Sequence, residues 1–167
     1  MEYYVRRGGR LSARDALVVV GLFEGEKELP AAVASLDEAN GGTLSRLLED
    51  EEFRGKDRPP ETALVHLAEG KTRHVILHGL GERDAFRGET LRRSLFAAIR
   101  LAKKTRVSTV TIVLPDETPE ALDIEGWVRT SVESAAAATY TYDTFKGKAS
   151  REALKDQTVL KKATFLD

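Results

Sequence analysis

The stretch His74–Lys104, HVILHGLGERDAFRGETLRRSLFAAIRLAKK, decides how the rest of the chain is read. Val75, Ile76 and Leu77 form an apolar run too short for a helix and rich in β-branched residues, and Gly79 and Gly81 bound it, so His74–Leu80 reads as a buried strand. From Gly88 onward Leu91, Leu95, Ala98, Ile99 and Ala102 recur at the spacing of one helical face. Glu89 and Arg93 stand one turn apart on it, a spacing that allows an ion pair. Strand, glycine turn and amphipathic helix together make half of a strand–helix–strand unit.

Working outward, Val107–Leu114 (VSTVTIVL) is a second strand ended by Pro115. The short link from Lys103-Lys104 favours a right-handed parallel crossover that lays it beside His74–Leu80. Upstream, Thr62–Leu67 is a strand joined through Gly70–Arg73 to His74, which predicts an antiparallel hairpin. Ala16–Phe23 (ALVVVGLF) is almost continuously apolar, as a central strand would be. Tyr3–Arg7 is a first strand and Val159–Leu166 a last one.

Helical spacing covers Pro30 to Ala39, and Gly41-Gly42 interrupts it before Leu44, Leu47 and Leu48. The acidic run Glu49–Glu52 reads as a solvated face, and Phe53–Pro60 is a loop because Pro59-Pro60 cannot sit in a central strand. A late helix starts at Thr118-Pro119 or at Ile124 and reaches about Tyr140. Tyr140–Ala149 is a loop. The order β-β-α-α-β-β-α-β-α-β predicts an α/β fold: a three-layer α/β/α sandwich with a mixed, mainly parallel sheet.

The chain has 167 residues, 41% of them hydrophobic and 32% charged, which suits one globular domain. The net charge of -1 removes the simplest argument for a nucleic-acid partner, leaving the mildly basic tail Lys146–Lys162 as its only support. There is no cysteine, which fits a reducing, cytoplasmic setting and excludes thiolate metal sites. No apolar run approaches the length of a membrane span, and the first residues carry no apolar signal segment.

The residues that carry chemistry are few. His74 and His78 lie four apart, on one face of a strand, and His66 lies across the hairpin; two such ligands fall short of a metal site, so no metal ligand is assigned. Gly79-Leu80-Gly81 stands where a strand end could approach a phosphate, but Asp84 occupies the place of the third glycine of a dinucleotide fingerprint. Asp37, Asp116 and Asp143 are dispersed, and Trp127 sits on an apolar helical face. No catalytic residue is assigned.

Four stretches in this order carry a resemblance. They are Asp15–Gly25 (DALVVVGLFEG), Leu36–Leu44 (LDEANGGTL) with Phe53–Lys56 (FRGK), His78–Phe86 (HGLGERDAF) with Leu91-Arg92-Arg93, and Tyr140–Lys146 (YTYDTFK). Together they resemble the N-terminal domain of the leucyl (cytosol) aminopeptidase family. The departures are Asn40 in place of an apolar residue, His78 in place of an aliphatic one and Ser134 in place of glycine.

The resemblance implies a macro-domain-like fold for residues 1–167 as one N-terminal domain, without a cofactor of its own. The implied parent is a metallopeptidase that uses two divalent metals, zinc or manganese, to remove N-terminal amino acids from peptides. Its ligands lie in a C-terminal catalytic domain around an Asn-Thr-Asp-Ala-Glu-Gly-Arg motif that does not occur here. The implied partners are that catalytic domain and further copies in a hexamer, with neither membrane nor nucleic acid, and the implied role is to support assembly and shape substrate access. The macro-domain likeness also raises an alternative, an ADP-ribose or nucleotide site built from Asp15, Gly41, Gly42, Gly79 and Gly81.

Overall fold

The computed structural model describes residues 1–8, 10–12, 15–140 and 159–167. The elements are β1 (Glu2–Arg6), β2 (Leu17–Leu22), α1 (Ala31–Ala39), α2 (Thr43–Glu49), β3 (Thr62–His66), β4 (His74–Gly79), α3 (Gly88–Ala102), β5 (Thr109–Val113), α4 (Ile124–Thr139) and β6 (Lys162–Leu166). The strands form one six-stranded sheet in the order β1-β6-β5-β2-β4-β3. All neighbours run parallel except β3, which is antiparallel to β4. The mixed, mainly parallel sheet is therefore the expected one.

The strand β2 is central, flanked by β4 and β5, and Leu17 to Val20 are fully buried because helices cover both faces. Alternation along the strands divides the core in two. Leu17, Val19, Ile76, Val110, Ile112 and Phe165 face α3 and α4, where Leu91, Leu95, Ile99 and Trp127 meet them. Val18, Val20, Val75, Leu77 and Val113 face α1 and α2, where Val33, Leu44 and Leu48 meet them. Each buried leucine or isoleucine of α3 contributes about 1.5–3 kcal/mol, so its apolar stripe outweighs the surface pairs that decorate it.

Two expectations need correction, and one left open between alternatives is decided. The strand after α3 does not lie beside β4: β5 pairs with β2, which separates the two. A crossover link limits how far a strand can travel but does not say which strand already holds the adjacent edge. Glu89 pairs with Arg92 at 2.9 Å, while Arg93 turns to Asp57 at 3.3 Å, because a second carboxylate competes for it. Of the two possible starts for the late helix, the structure uses Ile124. The Asp123 side chain accepts from the Gly126 amide at 2.8 Å as its cap, and Pro119 makes only a turn through Leu122. The loop expected over Tyr140–Ala149 lies outside the described residues beyond Tyr140.

Candidate functional site at the carboxyl edge of the sheet

In a parallel sheet, ligands bind beyond the carboxyl ends of the strands. Here that edge runs along the ends of β1, β6, β5, β2 and β4, and the turn Gly79-Leu80-Gly81 lies at its β2–β4 part. The segment 53–61 crosses it as a strap. Its attachment is mostly backbone: Gly81 N donates to Gly55 O at 2.8 Å, Gly25 N to Arg54 O at 3.1 Å and Gly79 N to Glu61 O at 2.9 Å. The Glu61 carboxylate accepts from the amides of Arg54 (3.0 Å) and Lys56 (3.1 Å), which holds the strap in its own bend. Asp57 then receives Arg93 of α3 at 3.3 Å and ties the strap to the helix layer.

The glycines face this strap. A Cβ on Gly79 would lie 2.1 Å from the Lys56 carbonyl oxygen, and one on Gly81 would lie 2.6 Å from Asp57 Oδ1. Gly81 also has φ +70°, a left-handed conformation that other residues adopt at a cost. The close approach that a phosphate would make is made at Gly79 by the backbone of Gly55 and Lys56 and at Gly81 by the Asp57 side chain. In the sequence this segment is marked by its loop character and by the resemblance carried on Phe53–Lys56, and nothing there singles out Asp57 or Glu61. The signal lay in Gly79, since a glycine inside a strand end marks close backbone approach.

The other residues of the possible nucleotide site stand apart. Gly41 and Gly42 both have positive φ and open space around them, and they join α1 to α2. The anion position at the start of α2 is filled by Asp37, whose carboxylate accepts from the Leu44 amide at 2.6 Å and from the amide and hydroxyl of Ser45. Asp15 is buried, 2% exposed, just before β2. It receives Arg6 at 2.7 Å, the Ser12 amide and the Thr111 hydroxyl. Burial pushes the Asp15 carboxyl up, but the hydrogen bonds from Arg6, Thr111 and Ser12 outweigh it and hold the group below its ordinary value.

The remaining candidates are structural. Trp127 is buried and stacks on Phe86 with centroids 5.2 Å apart; Phe86 in turn meets the edge of Phe23. Asp116 accepts from the Ala31 amide at the start of α1. Asp143 lies outside the described residues. Of the three histidines, His78 is buried with Nδ1 2.7 Å from Ser94 Oγ. Ser94 spends its one proton on Gly79 O, so the network makes His78 the Nδ1–H donor and a neutral ring. Burial takes its pKa down to about 3. His66 and His74 pair with each other across the hairpin, away from His78. No group of three or more His, Asp or Glu able to hold a metal ion occurs among the described residues.

Comparison with known proteins bears on the family and the fold. A probable cytosol aminopeptidase of Nitrosococcus oceani is 31% identical over 155 residues, 93% of this chain and 30% of that protein. One from Methylobacillus flagellatus is 34% identical over 149 residues, 89% of this chain and 29% of that protein. The chain thus spans about three-tenths of the length of these curated relatives. Among solved structures, a tomato leucine aminopeptidase mutant, K354E, matches with TM-score 0.75 at 16% identity, over 100% of this chain and 32% of that one. The macrodomain of Mycobacterium tuberculosis DarG matches with TM-score 0.62 at 15% identity, over 98% and 96% of the two chains, and so shares the fold. The family model for the N-terminal domain of the cytosol aminopeptidase family matches residues 19–149, and the chain belongs to that family through this domain.

Proposed function

We propose that this chain is the non-catalytic N-terminal domain of a metal-dependent leucyl aminopeptidase of the cytoplasm. In this reading it supports assembly of a hexamer and shapes access to a C-terminal catalytic domain that removes N-terminal amino acids from peptides. The observation that carries the reading is the strap over the carboxyl edge of the sheet. The segment 53–61 packs against Gly79 and Gly81, where a ligand would approach the β2–β4 part of the edge, and this supports the reading alongside a family match that spans the same elements. The two divalent metals, zinc or manganese, belong in this reading to the catalytic domain, because the described residues here gather no ligand set for them.

The test compares this chain with a longer protein that carries it together with the Asn-Thr-Asp-Ala-Glu-Gly-Arg motif. With manganese present, the chain alone releases nothing from a leucyl chromogenic amide, whereas the longer protein does. Removing residues 1–167 from the longer protein breaks its hexamer. Release by the chain alone, or an unchanged oligomer after removal, contradicts the reading.

A second reading, ADP-ribose or nucleotide binding, draws on the likeness to the DarG macrodomain. Fold likeness alone does not carry function. Against it stand the strap against Gly79 and Gly81 and the internal engagement of Asp15.

A further inference from the structure

The antiparallel register of β3 and β4 sets His66 directly opposite His74, at the turn end of the hairpin. Both side chains project to the same face of the sheet, and their Nδ1 atoms stand 2.9 Å apart with the rings nearly perpendicular, at 83°. We propose that His66 and His74 form a two-imidazole site for a divalent first-row transition-metal ion, with cupric ion preferred.

The bite of the pair argues for this chemistry. Imidazole nitrogens sit about 2.0–2.1 Å from a bound first-row ion such as zinc. Two nitrogens at right angles on such an ion are therefore about 2.9 Å apart, and two at the tetrahedral angle about 3.3–3.4 Å apart. The observed separation equals the first value, which is the arrangement of tetragonal copper and nickel sites. A small rotation of each ring about its Cβ–Cγ bond aims both lone pairs at one ion instead of at each other.

The scaffold and surroundings suit such a site. The two histidines are fixed by a paired hairpin, so neither strand needs to move to bring them together. His66 is exposed and His74 half-buried, which leaves water to fill the remaining coordination positions. Two nitrogen donors select borderline ions of the copper, nickel and zinc group over magnesium and calcium, which take oxygen ligands. The competing account is a plain hydrogen bond in which one ring donates Nδ1–H to the other.

The experiment titrates cupric chloride into the 167-residue chain at pH 7.5 and follows it by calorimetry and electron paramagnetic resonance. His66→Gln and His74→Gln are run alongside, together with wild-type titrations of nickel, zinc and magnesium chloride. One cupric equivalent with hyperfine structure from two imidazole nitrogens is expected. Each variant should bind that equivalent about tenfold or more weakly, with copper ahead of nickel and zinc and no response to magnesium. A copper-dependent rise in the thermal midpoint of the wild type, absent from both variants, serves as a second readout; the metal-free midpoints establish that both variants fold. Copper binding of unchanged affinity in both variants, or a cupric spectrum without two imidazole nitrogens, overturns the site.

Discussion

The backbone at Lys56 passes so close to Gly79 that a Cβ built on the glycine would fall 2.1 Å from the Lys56 carbonyl oxygen. That contact joins the end of a central strand to the strap across it. Gly81 is tied to the same strap: its amide donates to Gly55 O at 2.8 Å. Gly79→Ala must push strand and strap apart and is expected to destabilise the chain by about 3 kcal/mol or more, the upper end of overpacking costs. Gly81→Ala meets Asp57 and also a positive φ, which alone costs about 1–2 kcal/mol. Urea unfolding of both variants checks this; losses under about 0.5 kcal/mol, the range of ordinary surface changes, would remove the strap from the account.

The ion pair of Asp15 and Arg6 makes a second prediction. The folded Asp15 carboxyl titrates below its ordinary value, so the unfolded chain takes up this proton first as pH falls. Its stabilisation is complete above the unfolded value, about 3.9, and is lost as pH drops through the lower folded one. Asp15→Asn should cost about 1.5–3 kcal/mol at pH 7, the value of hydrogen bonds to a charged group, and the difference from wild type should shrink as pH falls below about 3.9. Denaturation midpoints from pH 7 to 2 read both effects.

His78 acts in a different window. Its folded pKa is lowered to about 3 by burial, whereas an unfolded histidine titrates near 6.5. Between these values the unfolded chain binds a proton that the folded chain does not, so stability falls as pH drops, by up to about 1.4 kcal/mol per pH unit. His78→Leu should flatten the stability curve between pH 6 and 4 by that slope. A parallel curve in the variant would mean that His78 takes its proton without unfolding.

The α1–α2 corner rests on Asp37. Its carboxylate receives the Leu44 and Ser45 amides and the Ser45 hydroxyl, as a cap placed six residues before the first residue of the helix it serves. Asp37→Ala is expected to cost about 1–2 kcal/mol, the range of lost helix caps. The readouts are the unfolding free energy and amide exchange over Thr43–Glu49, which should accelerate in the variant. A loss confined to a few tenths of a kcal/mol would assign the corner's stability to Leu44 and Leu48 instead.

The elements were legible in the sequence where periodicity is local. The stripe Leu91, Leu95 and Ile99 gives α3, and the apolar runs give β2 and β4. The hairpin followed from its short link, and the His66–His74 pairing was within reach by folding it, since residues whose numbers sum to 140 oppose one another. Strand order was not legible, because the insertion of β2 between β4 and β5 is a contest between strands far apart in the chain. The fate of Asp15 was hidden for the same reason: Arg6 and Thr111 come from β1 and β5. The strap is held by carbonyls and amides, which leave no side-chain signature except the glycines they press against.

The central claim is that the carboxyl edge of this sheet is a closed scaffold rather than a nucleotide site. Calorimetric titration of the 167-residue chain with ADP-ribose tests it most directly. The account predicts no saturable heat with ligand in the hundreds of micromolar, because the Lys56 backbone occupies the approach to Gly79 and the Asp57 side chain that to Gly81. Saturable binding at a Kd on the order of 1 μM, about 8 kcal/mol of favourable free energy, would contradict it.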